Sequence, residues 1–172
     1  MDSATITALA ALFTALATLL LVCFNKRQLN INNEQLKLNN LALSVDLVIR
    51  LEKRFDDDLI TQRRAAAHAL ENLTEENESD IEPILDFFET LGLLTRRKAL
   101  DEEFVWSYFF YWFYGYWRVS KDIVKKQRKK WKTRYQDLVW LEYVLMNLER
   151  QKRGELDESE WEYFIEEEKT LS

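Results

Sequence analysis

The chain has 172 residues with only three glycines and one proline, against usual shares of about 7% and 5%. Hairpins and α/β turns lean on those residues, so an all-β or α/β fold is excluded in favour of an all-α one. A single cysteine and a single histidine exclude an intramolecular disulfide and leave too few members for zinc, Cys–His, Ser–His–Asp or paired Glu-x-x-His di-iron chemistry. A net charge of −6, with 31% charged and 13% aromatic residues, describes wet-faced helices with ample apolar surface to bury.

The first element is residues 1–25, an expected transmembrane anchor. Ala4 to Phe24 carries no charge, and at a rise of 1.5 Å per residue it reaches about 31 Å, the thickness of a hydrocarbon core. Met1-Asp2-Ser3 lacks the basic start of a cleaved signal peptide, and the apolar run is too long for one. Lys26, Arg27 and Lys37 follow the run, whereas only Asp2 and the terminal amine precede it. Positive charge stays inside, so the expected topology is single-pass, with the N-terminus outside and residues 25–172 cytoplasmic. Cys23, within the apolar run, reads as a small hydrophobe, with palmitoylation as the alternative.

Residues 26–55 are expected to form a juxtamembrane helix. Leu29, Leu36 and Leu43 repeat at seven, as do Ile31, Leu38 and Val45. Asn30, Asn32, Asn33, Asn39 and Asn40 lie among them, and Asn at a seam position sets register and oligomer state at some loss of stability. Leu29, Leu36 and Leu43 are therefore a candidate oligomer seam; the alternative is an amphipathic helix packed on its own domain.

Residues 56–172 are expected to form a small helical bundle. Asp56, Asp57 and Asp58 predict the cap of a helix over 58–73 bearing Leu59, Ile60, Ala66 and Leu70; a metal site would need ligands converging from elsewhere. Ser79 with Glu82 resembles a capping box, and Pro83 suits a first turn. The helix that follows, 81–91, presents Ile84, Leu85, Phe87, Phe88 and Leu91, with Gly92 as its C-cap. Asp101 predicts the cap of a helix whose residues 104–117 are uncharged and include eleven aromatics. So many cannot face one side, so a buried central helix is expected. Between Arg118 and Arg134 there are then nine Lys or Arg and one acid, Asp122. Lys125, Lys126, Arg128, Lys129, Lys130, Trp131, Lys132 and Arg134 are the candidate lipid or partner surface. An amphipathic helix over 136–148 follows, and Gly154 marks a break. Asp157 or Ser159 caps a terminal acidic helix with Trp161, Tyr163, Phe164 and Ile165, complementary in charge to the basic stretch.

Arg50 to Leu70, with its Arg-x-x-x-x-Phe-Asp start, and Ile84 to Trp117 carry a family likeness. In the second stretch Asp86-Phe87-Phe88-Glu89 precedes Leu91-Gly92-Leu93-Leu94, and Val105-Trp106 leads to Tyr111-Trp112 and Tyr116-Trp117. The chain resembles a bacterial family of short, membrane-anchored helical proteins known as a domain of unknown function. The resemblance covers most of residues 40–145 and extends to the anchor. It implies a helical fold and a bacterial inner-membrane location, and it brings no activity.

Walker A, Gly-rich nucleotide and metal-ligand patterns are absent from the sequence. The expected function is a non-enzymatic, membrane-tethered interaction or scaffold module that needs no cofactor and binds a protein partner or a second copy. The alternative is a peripheral anionic-lipid-sensing domain that uses the basic helix 118–134. Nucleic-acid binding is the weaker reading of the same stretch, in an acidic and anchored chain.

Overall fold

The computed structural model describes residues 2–72, 74 and 77–171, apart from the side chains of residues 3–13, 15 and 17. Among the described residues the chain forms six α-helices and no strand. They are α1 (Ser3–Lys53), α2 (Ile60–Glu71), α3 (Glu82–Arg96), α4 (Glu102–Lys130), α5 (Gln136–Lys152) and α6 (Phe164–Lys169). Residues 1–42 and 43–172 form two compact units.

In the first unit every side chain from Thr18 to Ala42 is exposed. The expected span over residues 4–24 falls largely on side chains outside the described ones. Among the described residues no helix is long and apolar enough to cross a membrane. The described apolar run from Leu19 ends at Phe24, ahead of Asn25, Lys26 and Arg27, well short of the roughly 20 residues a span needs.

In the second unit the chain does not stop and restart at the three aspartates. It continues through a π-helical turn, Arg54–Asp58, closed by the Leu59 N–H donating to the Arg54 carbonyl at 3.0 Å. The expected helix over 58–73 therefore begins at Ile60 instead, and no aspartate side chain caps it. The wider turn buries Phe55 completely and carries Asp56 beside α2. On α2, Ala66, Ala67 and Ala69 are buried, and their small side chains permit close helix approach. Ser79 and Glu82 form no capping box: residues 78–80 are a short 3-10 turn, and Ile81, at the N-cap of α3, has no side-chain cap bond.

Ile84, Leu85, Phe87, Phe88 and Leu91 bury one face of α3, as the apolar spacing predicts. Gly92 is not its C-cap. The helix runs on to Arg96, and the left-handed residue that ends the segment is Lys98, at φ 59°. Gly92 instead admits α5: a Cβ built there would meet the Asp137 carbonyl oxygen at 2.3 Å.

Asp101 does cap α4, its carboxylate accepting the N–H groups of Glu103 at 2.9 Å and Phe104 at 3.3 Å. Val105, Phe109, Phe110, Phe113, Tyr114, Tyr116 and Trp117 are buried, whereas Tyr108 and Tyr111 are exposed. The aromatic run thus forms the wall against which α2, α3, α5 and α6 are assembled. Phe88 meets Phe113 edge-on with centroids 5.4 Å apart, and Tyr116 meets Phe164 in the same way at 5.1 Å. Such tilted and edge-to-face arrangements are what ring quadrupoles favour.

Candidate functional site

The basic stretch is not one helix. α4 ends at Lys130, Trp131 adopts an extended backbone, and residues 132–135 turn back to a left-handed Tyr135 at φ 55° before α5. Part of its charge is already matched. Lys126 pairs with Glu78 at 2.9 Å, Arg134 with Glu82 at 2.8 Å, and Lys125 with Asp122 at 2.9 Å. The hydrogen bond from Lys126 holds the Glu78 carboxyl below its ordinary range. Arg128 donates to the Arg134 carbonyl at 3.2 Å, and the Arg134 guanidinium sits 5.1 Å from the Tyr135 ring centre and 5.8 Å from that of Trp131. Lys129, Lys130 and Lys132 make no ion pair among the described residues, and all three are exposed. Beside them Trp131 is 56% exposed. The structure thus sorts the eight predicted residues into a set engaged within the fold and an outward cluster of three lysines and one indole.

The terminal acidic segment goes elsewhere. Glu168 of α6 is buried and faces Arg63 of α2, the guanidinium donating through Nε at 2.8 Å and through Nη2 at 2.6 Å. Arg63 Nη1 reaches Asp56 at 2.9 Å, and its plane lies 4.3 Å from the Phe55 ring centre. The Tyr116 hydroxyl donates a short hydrogen bond to Glu168 and lies 3.3 Å from the Arg63 carbonyl. Burial works against the Arg63 charge, but the hydrogen bonds and charge of Glu168 outweigh it and hold the guanidinium above its ordinary value. Burial, and after it the Glu168 charge, drives the Tyr116 phenol well above its usual range. This four-residue network was not foreseen, because its members are scattered through the sequence and no local spacing marks them.

A second buried carboxylate, Glu149 of α5, accepts the Trp106 indole N–H at 2.7 Å, with Arg153 3.8 Å away. A half-buried carboxylate, Glu89 of α3, accepts the Leu138 N–H at 2.6 Å and so caps α5. Burial raises the affinity of Glu89 for its proton, and the backbone donors of Leu138 and Asp137 oppose that rise. Surface hollows are present among the described residues. One of about 410 Å³ is lined by Leu93, Arg96, Arg97, Gln136 and Asp137, and one of about 210 Å³ by residues including Trp106, Tyr111 and Trp161. Arg96 is bonded to Asp137 at 2.9 Å across the first. Among the described residues no group of three or more His, Cys, Asp and Glu is placed to hold a metal ion. Leu29, Leu36 and Leu43 are 61%, 57% and 67% exposed.

A family described as Domain of unknown function (DUF4760) matches residues 4–143. The chain belongs to that family. The DUF4760 region contains α1 to α4 and the first part of α5, and it stops before α6. Arg63 and Tyr116 thus lie inside the matched region and their partner Glu168 beyond it. Neither the curated proteins nor the solved structures give a match.

Proposed function

We propose that the chain is a non-enzymatic, membrane-tethered module whose helical domain holds a protein partner at the cytoplasmic face of a bacterial plasma membrane. The observation that carries the proposal is the surface of α1. Leu16, Leu19, Leu20, Leu21, Val22 and Phe24 are all between 59% and 65% exposed. Residues 19–22 are consecutive, and each step turns a helix by about 100°, so the apolar surface faces every direction. A helix apolar all round suits hydrocarbon rather than water or a one-sided groove, and the uncharged sequence from Ala4 to Phe24 continues it. Lys26 and Arg27 set the cytoplasmic side. The buried carboxylates of Glu168 and Glu149 and the half-buried one of Glu89 each have a fixed partner inside the fold, which suits a scaffold rather than a reacting centre.

The test is alkaline carbonate washing of membranes from cells that make the full chain. The chain is expected to stay with the membranes, and Leu16→Lys with Leu20→Lys is expected to release it, since Lys at a span centre costs about 2.5–3.5 kcal/mol. Recovery of the unaltered chain in the wash would refute the anchor.

A second reading is favoured by the outward cluster Lys129, Lys130, Trp131 and Lys132: contact with anionic lipid. Each lysine near such a surface is worth about 1 kcal/mol, and tryptophan prefers the interface. An environment-sensitive dye at Trp131→Cys, in a Cys23→Ser chain reconstituted in vesicles, is expected to shift to the blue with anionic lipid and to return at raised salt. No difference between anionic and neutral vesicles would leave these lysines to a protein partner.

A further inference from the structure

Residues 29–43 read Leu-Asn-Ile-Asn-Asn-Glu-Gln-Leu-Lys-Leu-Asn-Asn-Leu-Ala-Leu. The unit Leu-x-x-Asn-Asn-x-x occurs twice and is closed by a third leucine, Leu43. All these side chains are exposed although the segment is helical. Five of the fifteen residues are asparagine, a poor helix former, and helices of this length without a packed face are marginal in water. The segment therefore needs a partner along its length.

We propose that the partner is a second copy of this chain, aligned parallel and in register through Leu29, Asn33, Leu36, Asn40 and Leu43. These positions step by four, three, four and three residues, the rhythm of a two-helix seam with leucine at d and asparagine at a. In a parallel pair leucine meets leucine, and each asparagine meets its own copy. A side-chain amide both donates and accepts, so Asn33 and Asn40 complement themselves, and a slip of register loses both pairs. An antiparallel pair would set leucine against asparagine in every layer.

The flanks agree. Asn30 and Lys37 on one side, and Asn32 and Asn39 on the other, place no pair of like charges across an identical helix. Lys26 takes the seam position of Asn33 one repeat earlier and ends the seam there. The rival stripe, Ile31 and Leu38, lies two residues on and so about 200° round the helix. With Ile31 and Leu38 at a, the d position between them is Glu34, which a second copy would meet with another glutamate; with them at d, the a positions are Gln35 and the short Ala42. The parallel sense also accords with anchoring through residues 4–24, and to that extent it rests on the function proposed above.

Single cysteines at Leu29, Leu36, Leu43, Ile31 and Leu38, each in a full-length Cys23→Ser chain, are oxidised in the expressing cells. Disulfide-linked dimer is expected at Leu29→Cys, Leu36→Cys and Leu43→Cys and is expected to be lost at Ile31→Cys and Leu38→Cys. Bands at only one or two of the three leucine positions would mean a pair that is not parallel and in register, and would overturn the proposal. So would bands at Ile31→Cys and Leu38→Cys, linkage to a different protein, or no dimer at all. The pattern is read in whichever fraction holds the chain, so a chain washed from the membrane refutes the anchor without deciding the seam.

Discussion

Arg63→Ala is expected to lower the unfolding free energy of the helical domain by about 3–5 kcal/mol, the usual result of removing one partner from a buried ion pair. Both Arg63 and Glu168 are 3% exposed. Without the guanidinium, the Glu168 carboxylate keeps only the Tyr116 hydroxyl as a donor and has no countercharge. The other groups that Arg63 touches suffer less. Asp56 has a side chain that is 43% exposed, so water replaces its lost bond, and Phe55 loses a cation above its ring but stays packed against Phe87 at 4.8 Å. The damage should also be local before it is global. α6 has six residues, too few to hold a helix unaided, so amide protection over residues 158–171 should fall first. The control is Arg63→Met with Glu168→Leu, which removes both charges together. Replacing a buried pair as a unit is often neutral or stabilising, and the Tyr116 hydroxyl retains the Arg63 carbonyl as an acceptor. Denaturation of the three chains, followed by tryptophan fluorescence, gives the comparison. A loss under about 1 kcal/mol for Arg63→Ala, the range of exposed pairs, would show that water reaches the pair.

Little of that network could be read in advance, and the reason is distance along the chain. Arg63 sits in Arg-Arg-Ala-Ala-Ala-His, which reads as an ordinary wet helix, and its partner lies 105 residues away. Features decided within a few residues were legible. The Asp101 side chain reaches backbone donors two and three positions on. That much of the run over residues 104–117 is buried followed from the plain fact that eleven aromatics cannot share one helix face. Charge segregation was legible as composition but not as pairing. The acidic end of the chain and the basic stretch are complementary in sign, yet Lys126 and Arg134 engage Glu78 and Glu82, at and just before the start of α3. Coulomb attraction says that opposite charges should meet. The apolar packing of α3, α4 and α5 decides which ones do. The three aspartates misled for a related reason: acids suit a helix start, but the apolar rhythm through Leu51 and Phe55 carries the helical path past them, and the π turn absorbs the change of phase.

Gly92→Ala should be the more damaging of the two glycine-to-alanine changes that press on the packed core. On an open helix the change would be favourable by about 1 kcal/mol, since alanine is the better helix former. Here the new Cβ meets the Asp137 carbonyl oxygen at 2.3 Å and its carbon at 2.7 Å, with Leu138 N at 3.3 Å. These are backbone atoms and cannot rotate away, so α5 must retreat as a whole. Retreat stretches the cap from Glu89 to the Leu138 N–H, now 2.6 Å, and the Arg96–Asp137 pair, now 2.9 Å. Overpacking of this kind costs about 1–3 kcal/mol, and the strained cap adds about 1 kcal/mol more, so a net loss of roughly 1–3 kcal/mol is expected after the helix gain is subtracted. Gly115→Ala makes the informative comparison. Its Cβ would come within 2.5 Å of the Phe164 ring, the same degree of overlap, but the obstacle is a side chain on a six-residue helix. That ring can swing and α6 can shift, so the loss should be smaller and concentrated in α6. If Gly115→Ala proved the more destabilising of the two, the distinction between a yielding ring and an unyielding backbone would not govern these crossings, and α6 rather than α5 would be the more rigid neighbour of the core.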